Sequence, residues 1–255
     1  MEAYAAAAQV YGGGLILARI GALVMLMPGV GEQAVPPRIR LAFAFLMALI
    51  LAPLTAQNVT VPETMGDVGA QVIREVLIGL TIGMILRLFL SALATAGEVV
   101  AIQTTLGFAQ TANPMAAQPS PTLSTFLSLL GVVLVVTTDL HHMFLGAMAN
   151  SYDLFPLDKA SVPVGDAATL AVRTVGASFA LGIQLSAPVI VFSLIFNLAA
   201  GLVGRVMPQF QIYFVSSPLA VIFGLSIFAL SLGIIGMVWV GAYREMLLVF
   251  AGGGN

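Results

Sequence analysis

The sequence predicts an all-α, polytopic membrane protein built from about six long, kinked helices arranged as hairpins. Three observations predict it. Of 255 residues, 60% are apolar and 8% charged, with a mean hydropathy of +1.06. Soluble domains carry about 25% charged residues, so this chain lacks the ionic side chains to solvate a globule. Second, ions are missing from whole stretches: 22 residues between Arg40 and Glu63, 40 between Glu98 and Asp139, 31 between Arg173 and Arg205, and 38 between Arg205 and Arg244. A membrane-spanning helix needs about 20 apolar residues. Third, no period-two alternation occurs, which disfavours a β-barrel and leaves helices to satisfy the backbone in lipid.

Composition excludes other classes. Nine Lys plus Arg against eleven Asp plus Glu give a net charge of −2, without a basic run for nucleic acid. Cysteine is absent, so disulfides, thiolate metal sites and Cys nucleophiles are excluded. The opening, with Glu2 and with Arg19 inside the first apolar stretch, is unlike a cleavable signal peptide.

Breaker residues set the elements. The first helix is expected over residues 3–27, stopped by Pro28-Gly29, and the second over 39–51, ended by Pro53. A polar connection leads to a third over 67–96, then an irregular piece over 97–121 that ends in prolines. The fourth is expected over 122–150, followed by an acidic loop with Asp153, Asp158 and Asp166. The fifth covers 167–204 with Pro188 inside it, and the sixth 211–249 with Pro218 in its first turns. Residues 251–255 read as a flexible tail. The fifth segment would be about 57 Å long at 1.5 Å per residue, against a hydrocarbon core of ~30 Å. Such segments tilt and kink, fold back, or leave the bilayer. Arg38, Arg40 and Arg205 fall on one side of a six-span arrangement, and Arg74, Lys159, Arg173 and Arg244 on the other, which leaves orientation open.

Charges inside the apolar segments are costly, about 2.5–3.5 kcal/mol each at a helix centre. Arg19, Arg87 and Glu98 are the candidates; Arg87 and Glu98 share a helical face but stand about 16 Å apart along the axis. Each therefore needs a partner on another helix, either as a structural ion pair or as part of an ion path. Asp139 and His142 share a face at i, i+3, whereas the neighbouring His141 and His142 point about 100° apart and are not expected to converge on a metal. A polar packing role or a metal site are the two readings of that cluster, and the expectation is no metal, no cofactor and no enzyme activity. Gly79-x-x-x-Gly83, Ala18-x-x-x-Ala22 and the stripe Ser216, Ala220, Gly224 suit close helix packing in lipid. The stretch 103–114 is polar and uncharged, which fits a pore-facing loop or an ordinary surface loop.

Several of these residues fall into ordered motifs. Ala18-Arg19-Ile20-Gly21, Pro28-Gly29-Val30-Gly31 and Val35-Pro36-Pro37-Arg38-Ile39-Arg40 come first. Gln103 with Gly107-Phe108-Ala109 follows, then Asp139-Leu140-His141-His142, Ser151-Tyr152 and Phe155-Pro156. Arg205-Val206-Met207-Pro208-Gln209-Phe210-Gln211-Ile212-Tyr213 with Pro218 closes the series. Together they resemble the FliR family over nearly the whole chain. Asn113-Pro114 replaces the family's usual Asp-Pro, and Leu140 its usual glycine before the histidines.

The resemblance implies a core subunit of the flagellar type III export gate in the bacterial inner membrane, at the flagellar basal body, with relatives in virulence injectisomes. It implies a FliP-like part over residues 1–166 joined to a FliQ-like hairpin over 167–250. It also implies assembly with FliP and FliQ, FlhB and FlhA nearby, and unfolded flagellar subunits as cargo. In that setting Gln103, Phe108, Gln110, Asn113 and Pro114 would belong to the loop that plugs the closed channel. Arg205, Pro208, Gln209 and Gln211 would form the tip of the last hairpin, and Arg38, Arg40 and the other polar candidates would serve burial or assembly. A self-contained small-solute transporter, the equivalent subunit of a virulence injectisome, and an intramembrane metalloenzyme around His141 and His142 are the rival readings.

Overall fold

The computed structural model describes residues 2–32, 34–55, 59–106, 122–157, 164–207, 209 and 212–250. Among them the chain is helical throughout, without strands: α1 (Glu2–Leu26), α2 (Pro37–Thr55), α3 (Met65–Gln103), α4 (Thr122–Thr137), α5 (Leu140–Leu154), α6 (Val164–Val206) and α7 (Ile212–Phe250). Five helices are long and apolar enough to cross a membrane, six if α4 and α5 together make one broken span. The chain is a multi-pass membrane protein.

The helix ends follow local chemistry. Gly29, with φ of 87°, takes the left-handed turn after α1, and the Gly31 amide donates to the Met27 carbonyl at 2.7 Å. Pro37 opens α2, where its missing N–H costs nothing. Thr64 caps α3: the Asp67 amide donates to its hydroxyl oxygen at 3.2 Å, and that hydroxyl donates to the Asp67 carboxylate at 2.6 Å.

Three boundaries differ from the sequence expectation. Helix α2 runs past Pro53 to Thr55, whose hydroxyl donates back to the Leu51 carbonyl at 3.0 Å. Helix α3 continues through 97–103, so the first part of the expected irregular piece is helical, and the Thr105 backbone turns left-handed at φ 59° just beyond it. The rest of that piece, 107–121, lies outside the described residues. The single helix expected over 122–150 is broken at Thr138 and Asp139, where Asp139 has φ of 59°. Aspartate tolerates that conformation better than most side chains, so the break needs neither Gly nor Pro. Pro188 and Pro218, in contrast, stay within continuous helices.

The described residues form two compact units. The first takes in residues up to Phe89, then Asp139–Val175 and the chain from Arg244. Its core includes Leu15, Ile16, Ile20 and Leu23 of α1, Ile82 and Ile85 of α3, and Phe144 and Met148 of α5. The second comprises Leu90–Thr138 and Gly176–Tyr243. Its core holds Leu93, Leu127, Val135, Leu185, Val189 and Trp239. Gly97 lets α3 and α4 touch there, since a Cβ would sit 2.5 Å from the Ser124 Cα. Gly131 makes room on α4 for Leu90 and Leu93.

Candidate functional site

The first unit is organised around a guanidinium. Arg19, about two turns before the end of α1, is fully buried, as is Glu75 on α3. The glycines on α3 bring them together. A Cβ on Gly79 would collide with the Arg19 carbonyl oxygen and lie 3.0 Å from the Ala22 Cβ; one on Gly83 would lie 2.9 Å from the Leu26 Cβ. The predicted Gly79/Gly83 pair therefore meets Ala22 of the Ala18/Ala22 pair and allows α1 and α3 nearly to touch. Glu75, one turn before Gly79 on the same face, then faces Arg19 directly.

The resulting cluster is dense. Arg19 Nε donates to Glu75 Oε2 at 2.6 Å. Its Nη1 donates to the Ser151 carbonyl at 2.8 Å, and its Nη2 to the Phe155 carbonyl at 2.7 Å. The Tyr152 ring covers the guanidinium at 4.1 Å. Arg74 Nη1 donates to Glu75 Oε1 at 3.2 Å, and Nη2 donates to the Pro156 carbonyl at 2.8 Å. Two cations thus share one carboxylate. The excess positive charge lies against carbonyls at and just beyond the C-terminal turn of α5, the negative end of a helix. A planar guanidinium satisfies carboxylate and carbonyls together, which a lysine ammonium does less well. The arrangement is a clamp: it ties α1, α3 and the end of α5 into one body.

Among the described residues, Arg19 is the charged sequence candidate that the fold buries. Glu75, its carboxylate partner, and Arg74, which shares that carboxylate, were not among the site candidates. A signal was available: Ser151-Tyr152 and Phe155-Pro156, prominent motifs with no assigned role, supply the carbonyls and the ring.

Other candidates lie elsewhere. Arg87 and Glu98 are exposed on α3, with no ion-pair partner among the described residues. Arg38, Asp139, His142, Arg205 and Gln209 are exposed too, and are not buried polar groups in this chain. Arg40 is half-buried and donates from Nε to the Val35 carbonyl at 3.0 Å. Gln103 accepts a hydrogen bond from the Ser193 hydroxyl at 2.9 Å, joining the end of α3 to α6. Phe108, Gln110, Asn113, Pro114, Pro208 and Gln211 lie outside the described residues.

In the small-residue stripe on α7, Ala220 is buried, and a Cβ on Gly224 would stand 2.5 Å from the Thr104 Cγ2. Ser216 lines a wholly apolar groove of about 370 Å³ with Phe196, Val203, Met207 and Leu219. The histidines correct a further expectation. Their rings lie side by side, tilted by 37° with centroids 4.1 Å apart. His142 Nδ1 lies 3.4 Å, and His141 Nε2 4.0 Å, from the Asp139 carboxylate. The pairing of Asp139 with His142 is as expected; the divergence of the two imidazoles is not.

Comparison with known proteins supplies the wider setting. A family model described as bacterial export proteins, family 1, matches residues 10–246. The chain is similar to the flagellar biosynthetic protein FliR of Caulobacter vibrioides, with 61% identity covering 98% of this chain and all of that one. It is also similar to the proteins of that name from Aquifex aeolicus, at 31% identity over 91% of this chain and 89% of the relative, and from Escherichia coli, at 29% over 84% and 81%.

Proposed function

The chain belongs to the FliR family of bacterial export proteins, and from that premise we propose that it is a core subunit of the flagellar type III export gate in the inner membrane. In this reading it joins FliP-like and FliQ-like subunits, near FlhA- and FlhB-like proteins, to form the channel for unfolded flagellar subunits. Residues 1–166 act as the FliP-like part and 167–250 as the FliQ-like hairpin. The full-length similarity to flagellar FliR carries the reading.

Geometry supports it. At 1.5 Å per residue, α6 is about 64 Å long and α3 and α7 about 58 Å each, roughly twice a hydrocarbon core. A self-contained transporter would have to place such lengths in water with apolar residues showing. A subunit whose neighbours sheathe them outside the bilayer does not. The clamp around Arg19 has a structural role in this reading: it keeps one half of the subunit rigid while the other lines a conduit. Gating belongs to the loop containing Phe108, where an aromatic ring closes a pore by steric block and dewetting.

Deletion of the gene and complementation test the proposal. Cells without the chain are expected to lack flagellar filaments and to secrete no hook or filament subunits, with both restored by a plasmid copy. Normal filaments in the deletion strain would overturn it.

A further inference from the structure

Asp139, His141 and His142 are the group of three metal-ligating side chains that the fold gathers among the described residues, all ligand atoms lying within 4.8 Å of one another. We propose that they form a site for a borderline divalent transition-metal ion, with Zn²⁺ the best chemical match.

The backbone builds the site. Asp139 is left-handed at φ 59° immediately before α5, and the His142 amide donates to its carbonyl at 3.1 Å. This turn sets the carboxylate over the first turn of the helix, within reach of both imidazoles. Zinc bonds of about 2.0–2.1 Å in a tetrahedron put neighbouring ligand atoms about 3.3 Å apart. The edge from Asp139 Oδ1 to His142 Nδ1, at 3.4 Å, has that length already; the edge to His141 Nε2, at 4.0 Å, needs a small side-chain rotation. Both imidazoles and the carboxylate are at least partly exposed, so rotation meets no packed core.

The donor set selects the metal. Two imidazoles and one carboxylate suit Zn²⁺, Cu²⁺ or Ni²⁺, whereas Ca²⁺ and Mg²⁺ require cages of oxygen. Three protein ligands leave one position for water or for a donor from a neighbouring subunit. A bound ion would fasten the first turn of α5, the helix whose far end is gripped by Arg19 through Ser151 and Phe155.

Composition makes the test clean. The chain has two histidines and no cysteine, so imidazole ligation of an added metal reports this site, provided that the protein carries no polyhistidine tag. Full-length protein in detergent is titrated with Zn²⁺ against a chromophoric chelator, and a Cu²⁺-loaded sample is examined by electron paramagnetic resonance. One ion per chain is expected, with copper coupling to two nitrogens. His142→Ala or Asp139→Asn should weaken Zn²⁺ binding by at least about tenfold, the scale on which even supporting residues of metal sites act. The His141→Ala/His142→Ala double variant should lose the nitrogen coupling. Absence of stoichiometric Zn²⁺ binding, or a nitrogen signal that persists in the double variant, overturns the proposal. The copper spectrum of the unmodified chain decides the matter even if a variant fails to fold.

Discussion

A buried guanidinium that serves one carboxylate and two backbone carbonyls cannot be exchanged for another cation or moved across its ion pair. Removing one member of a buried, hydrogen-bonded pair costs about 3–5 kcal/mol, so Glu75→Ala and Arg19→Ala should sharply lower the thermal midpoint of the purified chain. The charge-swapped variant Arg19→Glu/Glu75→Arg should not recover it, because a carboxylate at position 19 would face the carbonyls of Ser151 and Phe155. Recovery in the swap would show that the pair matters as a pair alone. Arg19 was legible in the sequence as an expensive charge in an apolar helix. Glu75 was not, because its burial comes from the approach of α1 to α3 and not from its neighbours in sequence. At the proposed plug, Phe108→Ala should let small ions leak across the membrane while flagellar assembly continues, measured as membrane conductance in growing cells. Unchanged conductance would remove Phe108 from the gate.

Between elements, glycine sets distance. Gly79 and Gly83 were legible as a small-residue face, and the fold uses them against α1. Gly79→Val should force α3 away from the Arg19 carbonyl and break the reach of Glu75, at a cost of at least the 1–3 kcal/mol usual for overpacking. Gly13→Ala, where a Cβ meets nothing within 4 Å, should be neutral or stabilising by about 0.5–1 kcal/mol. Thermal melts of the two variants in detergent separate a distance-setting glycine from a merely tolerated one. Equal melting would refute the role given to Gly79. The six expected segments correspond to observed helices because Pro, Gly and charge mark most of their ends. The break at Asp139 was missed because it depends on one aspartate entering a left-handed conformation. The helical continuation through Gln103 was missed because Gly97 reads as a helix stop, whereas the fold uses it where α3 touches α4 at Ser124.

For the whole molecule, apolar side chains remain uncovered along helices too long for a bilayer. Leu198 on α6 is 67% exposed, and Leu230 on α7 is 84% exposed. Helix association in lipid relies on close packing and hydrogen bonds more than on apolar burial, and an added Cβ at Gly201 on α6 or Gly233 on α7 would meet nothing within 4 Å. Overlong helices with uncovered apolar side chains point to a subunit completed by its neighbours, which sequence alone could state only through its resemblance to FliR. The direct measurement is affinity purification of the tagged chain from native membranes in mild detergent, with mass-spectrometric identification of what accompanies it. FliP-like and FliQ-like proteins should co-purify in fixed ratio with the chain. Recovery of the chain as a stable, solitary monomer, from cells that are assembling flagella, would contradict the account.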